Sequence, residues 1–188
     1  MADTNDLGFS HEPDISRRDF IHVATGAFAA TGAALVAWPL IHQMNPSADV
    51  KALATVEVDL SAVEAGQAIK VFWRGKPVFI RNRTETELEE ARAVDVSALR
   101  DPQTDVERTV EGHENFLIVV GACTHLGCIP LGTAVGEQKG DYDGWFCPCH
   151  GSHYDISGRI RKGPAPKNLE VPYVEFLTPT TVQIGQEV

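Results

Sequence analysis

The 188-residue sequence has no basic excess, since 16 lysines and arginines face 26 aspartates and glutamates for a formal net charge of −10. A polyanion would meet no attractive surface, so nucleic-acid binding is excluded. Cysteine is absent except between positions 123 and 149, where all four occur. In an exported chain four cysteines ordinarily read as two disulfides with three possible connectivities. Two histidines interleaved with them at short fixed spacings argue against that reading here. Internal repeats are also missing, and the only biased tract is one Ala/Gly-rich stretch near the N-terminus.

What is present suits one compact domain with added segments. Acidity is concentrated between Thr84 and Asn115, where ten acidic residues and three arginines give a local net of −7. Like charges gathered this way ordinarily lie in water, so the stretch reads as a solvated surface insertion.

The N-terminus carries Ser16-Arg17-Arg18-Asp19-Phe20-Ile21 ahead of an uncharged run from Val23 to Ile41. A twin-arginine pair before an apolar stretch resembles the bacterial signal that exports folded proteins. The run is longer than the ~7–15 residue core of a removed signal and, at ~1.5 Å per residue, spans roughly 28 Å, near the hydrocarbon thickness. Ala and Gly suit close helix packing in lipid, Trp38 suits an interface, and Pro39 suits a kinked last turn. Ala52-Leu53-Ala54 would pass as a cleavage site but sits about ten residues too far on. The expectation is a retained anchor over 20–44, a cytoplasmic segment over 1–19 with its arginines inside, and everything after Met44 on the opposite, periplasmic side of the inner membrane. Residues 45–54, Pro- and Ser-containing, read as a linker, with passive spacer and hinge both open.

From residue 55 to 188 the pattern is short strands and turns. Thr55–Leu60 and Ile69–Trp73 alternate, Arg74-Gly75-Lys76-Pro77 is a turn, and Pro77–Arg81 is the returning strand of a hairpin. Thr84 with Glu87 forms a capping-box pattern, predicting a short helix at the head of the insertion. Phe116–Val120 is a buried strand, and Tyr173–Phe176 and Thr181–Ile184 close the chain. The fold class is therefore all-β: a small antiparallel sandwich or barrel with one helical insertion.

Two segments carry chemistry. Cys123-Thr124-His125-Leu126-Gly127-Cys128 follows the buried strand, and Cys147-Pro148-Cys149-His150-Gly151-Ser152-His153-Tyr154 begins nineteen residues after Cys128. Each reads as a loop, with Gly and Pro allowing tight turns around a metal. Thiolates and imidazoles favour soft or borderline metals, so Cys123/His125 and Cys147/His150 suit zinc or an iron–sulfur cluster. His153 reads as a loop residue outside the ligand set, and His11, His22, His42 and His113 have no site context.

The paired motifs C-T-H-L-G-C and C-P-C-H-G-S-H-Y resemble the Rieske iron–sulfur subunit of the ubiquinol–cytochrome c oxidoreductase (cytochrome bc) complex, bacterial type. The resemblance extends to the anchor, the Ser-Ala-Asp-Val linker, the Gly-Lys-Pro hairpin and Gly163-Pro164-Ala165-Pro166. It implies one 2Fe–2S cluster, with Cys123 and Cys147 on one iron, His125 and His150 on the other, in a cluster subdomain of about 121–167. It implies a Cys128–Cys149 disulfide joining the two loops. Ser152 would donate to a bridging sulfide and Tyr154 to the Cys123 sulfur, both raising the potential. Replacing two thiolates by neutral imidazoles acts the same way, because an added electron meets less negative charge. His150, with His125 as the second titrating group, would meet the quinol. The 163–166 segment, through Gly163, Pro164 and Pro166, would cover the cluster, leaving Leu126, Gly127 and Pro148 at a docking tip. The implied partners are ubiquinol, cytochrome b and a c-type cytochrome in a dimeric membrane complex.

Other readings fit less of the sequence. Zinc would leave Cys128 and Cys149 spare and the anchor unexplained. A Rieske ferredoxin serving an oxygenase typically lacks the second cysteine of each motif and the anchor. The plastoquinol-oxidising complex commonly has Gln where His153 stands, and arsenite oxidase would not need this linker.

Overall fold

The computed structural model describes residues 16–48, 50 and 54–186. Two compact units divide at Ser47. The first is helix α1, Arg17–His42, opened by a capping box in which Ser16 Oγ accepts from the Asp19 amide at 3.2 Å while the Asp19 carboxylate accepts from the Ser16 amide at 3.0 Å. The helix begins three residues before the expected anchor, so both arginines lie in its first turn, and it continues through Pro39 to His42. None of its residues is buried within the chain. Among the described residues it is the one helix long and apolar enough to cross a membrane. Residues 1–15 of the expected cytoplasmic segment lie outside the described residues, as do 49 and 51–53 of the expected linker.

The linker boundary needs correction. Ala54 is buried, and its carbonyl accepts a 2.8 Å hydrogen bond from the Trp73 indole, so it belongs to the head. Ala48 and Val50 are helical rather than extended.

The second unit is the expected antiparallel head, arranged as three three-stranded sheets. Strands β1 (Val56–Asp59), β9 (Thr181–Ile184) and β8 (Val174–Phe176) form one sheet. The second holds β2 (Ala68–Trp73), β3 (Lys76–Asn82) and β4 (Phe116–Val120). The β2–β3 hairpin turns at Arg74 and Gly75, both at positive φ (50° and 74°), which matches the right-handed twist of the strands it joins. Alternation along β3 and β4 divides their side chains between two cores. Val78, Ile80 and Ile118 join Leu60, Val63, Val182 and Ile184 in a base core of aliphatic residues. Phe79, Leu117 and Val119 point the other way, into a core with Cys123, Trp145, Cys147, Tyr154, Ile160, Ala165 and Leu169. The middle sheet thus supports the lobe that carries both Cys/His motifs on its far face.

The third sheet was not anticipated. Strands β5 (Asp143–Cys147), β6 (Ser152–Asp155) and β7 (Ile160–Lys162) form it, with register shifts between Asp143 and Trp145 and between His153 and Tyr154. The second motif is therefore a strand–turn–strand hairpin rather than a loop. His153 lies in β6, not in a loop; its Nδ1 accepts from the Asp141 amide at 3.0 Å. These strands are short and bulged, so alternation in the sequence is too brief to mark them.

Helix α2 (Glu85–Arg92) opens the insertion with the expected Thr84/Glu87 capping box. The stretch it opens is not simply a solvated face. Leu88, Ala91, Leu99, Asp105 and Arg108 are buried. Asp105 receives Arg83 at 2.5 and 3.2 Å and the Ser157 hydroxyl at 2.5 Å. Arg108 donates to the carbonyls of Ser157 and Leu169, each at 2.6 Å. Arg159 pairs with Asp155 at 2.9 Å and donates to the Ala91 carbonyl at 2.8 Å. Charge counting missed this because ion pairs bury residues that composition places in water.

Candidate metal centre

The first motif leaves β4 and closes on itself. The Cys123 amide donates to the Cys128 carbonyl, and the Gly127 amide to the Cys123 carbonyl, both at 2.8 Å. In the second motif the Gly151 amide donates to the Cys147 carbonyl at 3.0 Å, which tightens the turn between β5 and β6. The sulfurs of Cys128 and Cys149 are joined as a disulfide, with Cα atoms 6.7 Å apart, and this ties one motif to the other. The Cys147 sulfur lies within 4.8 Å of both disulfide sulfurs. Sulfurs bonded to each other offer no thiolate, so Cys123 and Cys147, both buried, are the free thiols.

The histidines complete the arrangement. The rings of His125 and His150 meet edge to face with centroids 4.7 Å apart. His150 is exposed and His125 half-buried. His125 Nδ1 is buried without a hydrogen-bond partner. An orphaned imidazole nitrogen is costly unless something absent from the protein alone accepts it. With two buried free thiols beside the histidine pair, the donor set fits a cluster held by two sulfurs and two nitrogens.

Hydrogen bonds prepare one thiol. Tyr154 OH donates to Cys123 Sγ at 3.2 Å and accepts from the Thr124 amide at 3.2 Å. Burial pushes the Cys123 thiol up, but the bonds from Tyr154 and the His125 amide outweigh it and the net direction is down. For Cys147 burial prevails and the direction is up. Burial and the bond to Cys123 both push the Tyr154 phenol up, so it remains a donor at neutral pH. Ser152 Oγ accepts from the Ala165 amide at 3.2 Å, and its hydroxyl also helps hold the Cys123 thiol down. Thr124 Oγ1 donates to the Lys167 carbonyl at 2.6 Å.

The 163–166 segment and the exposed residues of the two motifs are equally defined. Gly163 has φ 98°, and a Cβ there would strike the Gly151 carbonyl and Ser152 Cα, so only glycine lets the loop approach. Ala165 is buried, whereas Pro164 and Pro166 face solvent with Leu126, Gly127 and Pro148. Sequence reading passed over Thr124, Arg100, Asp105 and Arg108. Thr124 lies inside the first motif and was accessible from its position; the others act through contacts 22 to 65 residues away.

A family model described as the Rieske 2Fe-2S domain matches residues 53–175. The chain belongs to the Rieske iron–sulfur subunits of ubiquinol–cytochrome c reductase. A second model, the Fe-S subunit's TAT signal, matches residues 9–47. The ubiquinol-cytochrome c reductase iron-sulfur subunit of Rhodospirillum rubrum is 58% identical over 98% of this chain and 100% of its own length. That of Bradyrhizobium diazoefficiens is 58% identical over 90% of this chain and 94% of its own. That of Blastochloris viridis is 54% identical over 95% and 98%. The Rieske subunit of the cytochrome bc1 complex is therefore the family function, with a 2Fe–2S cluster as its cofactor. The apolar helix and the export-signal match fit a membrane-anchored member.

Proposed function

We propose that Cys123, Cys147, His125 and His150 hold the Rieske cluster of this subunit, and that Cys128–Cys149 clamps the two motifs around it. The observation that carries the assignment is the orphaned, buried Nδ1 of His125 beside the His150 ring and two buried free thiols. When bound, the cluster supplies a one-electron acceptor and donor whose potential is raised by imidazole ligation.

The protein's own residues do the rest. The buried Nδ1 of His125 leaves its Nε2 as the proton-bearing nitrogen. Exposed His150 would turn the ring nitrogen that does not hold iron toward ubiquinol and receive the quinol hydroxyl's proton on that nitrogen's lone pair as the electron passes to the cluster. Tyr154 and Ser152 donate toward sulfur and so favour the reduced state. Leu126, Gly127 and Pro148 form an uncharged tip for docking on cytochrome b and on a c-type cytochrome. Gly163, Pro164 and Pro166 keep water from one side. Helix α1 anchors the subunit in the inner membrane of a dimeric complex, with its arginines cytoplasmic and the head periplasmic. Residues near 45–53 link anchor to head, and stiffening them with prolines should slow turnover without changing the head's potential.

Pulsed electron paramagnetic resonance of reduced membranes tests the assignment. Two imidazole nitrogens should couple to the cluster, and a quinol-site inhibitor should shift the spectrum. A signal without nitrogen coupling, or a colourless zinc-loaded chain, would sink the reading.

A further inference from the structure

We infer that Arg100, in the acidic insertion, is a positioning residue that fixes the 163–167 loop over the cluster and, through it, the hydroxyl of Ser152. The inference rests on the ligand assignment just proposed.

The covering loop cannot hold itself. Pro164 and Pro166 have no amide hydrogen, and β7 ends at Lys162, so no strand ladder continues through the loop. Its attachments come from outside. Arg100 Nη1 donates to the carbonyls of Gly163 and Ala165, each at 2.6 Å. The next residue grips the loop's far end: the Asp101 carboxylate accepts from the Asn168 amide, and the Asp101 carbonyl from Asn168 Nδ2, both at 2.9 Å. Two adjacent residues of the insertion therefore bracket the loop.

The bracket has a chemical consequence. Gripped by its own carbonyl, Ala165 presents its amide to Ser152 Oγ at 3.2 Å. With a lone pair of Oγ occupied from that side, the Ser152 hydroxyl is left to donate in another direction. If the loop drifts, Ser152 loses its orienting donor and the serine rotates freely. The insertion that composition assigns to solvent thus reaches the cluster's hydrogen bonding through backbone carbonyls, without touching a ligand.

The test compares Arg100→Gln and Arg100→Lys with the native chain in the loaded, membrane-bound complex. Two quantities are read: the cluster's midpoint potential by redox titration, and deuterium exchange of the peptide containing Ala165. For Arg100→Gln, electron affinity should fall about threefold, a drop of about 30 mV at ~59 mV per tenfold for one electron. The shift should persist in 1 M salt, where screening within about 3 Å removes long-range charge effects. Exchange at Ala165 should quicken about tenfold. Arg100→Lys keeps a cation that reaches both carbonyls and should restore both readings. Unchanged potential, a shift abolished by salt, faster exchange without a shift, or a lysine variant as impaired as glutamine (loss of the cluster in both included) would each overturn the inference. A native chain whose cluster shows no nitrogen coupling would instead overturn the ligand assignment.

Discussion

Ile80 and Phe79 are neighbours in one strand, yet they serve cores of different construction. Ile80 joins an aliphatic base core, closed by strands from both ends of the head. Phe79 faces the cluster lobe, where Trp145, Tyr154 and two cysteines join the aliphatic side chains. Beneath that lobe lie Arg83, Arg108 and Arg159, all buried and all bonded to carboxylates or backbone carbonyls. The base is held by apolar area, which is nondirectional and tolerates small shifts. The lobe is held by directional bonds, a disulfide and close glycine contacts, which fix ligand positions at the cost of tolerance to loss. A redox head with a fixed donor set needs the second kind of order where its ligands sit.

Four measurements would break or sharpen that contrast. The largest effect should come from Asp105→Ala, which strands the Arg83 guanidinium in the interior at a cost of about 3–5 kcal/mol. Thermal melts followed by far-ultraviolet dichroism and by cluster absorption would measure it, and a loss no larger than a surface substitution would refute the polar hub. The same site sets an acid limit. Burial pushes the Asp105 carboxyl up, but Arg83 and Ser157 hold it below its ordinary value overall. Its contribution is thus complete at neutral pH and fades as pH falls below about 4 through the native value. Asp105→Ala should lack that portion of the acid loss in a pH series of melting temperatures.

Cys149→Ser comes next, at about 2–4 kcal/mol for a lost disulfide. It should shorten the lifetime of the cluster against chelators and lower the potential, while exchange of base-core amides changes little. Equal losses in both halves would erase the distinction. Ile80→Val should cost about 0.5–1.5 kcal/mol, spread over the whole head, with no change in potential. A stability effect of similar size should come from Tyr154→Phe, about 1 kcal/mol for one hydrogen bond. Its midpoint potential should nevertheless fall, because Cys123 loses a donor. An unaltered potential would remove Tyr154 from the tuning set.

Much of this molecule is legible in the residues alone. The β2–β3 hairpin, β4, the closing strands, the α2 capping box and the membrane-length helix all follow from local periodicity and turn chemistry. Positions 123, 125, 147 and 150 stand out because Cys and His recur there at short spacing. Strands β5 to β7 do not, since three to five residues broken by bulges carry no readable period. Ala54 looks like linker until Trp73 takes its carbonyl.

By itself, then, the sequence determined which elements form and which side chains carry chemistry, because both depend on neighbours within a few residues. Only the tertiary structure decided what the acidic insertion is for. Asp105 acts through Arg83 and Ser157, 22 and 52 residues away, and Arg108 and Arg100 through carbonyls 49 and 65 residues away. Their charge signals solvent in a composition count and becomes structural only where the fold supplies a counter-charge or a carbonyl. The same holds at the centre: the spacing names His125, and the fold alone leaves its Nδ1 buried without a hydrogen-bond partner.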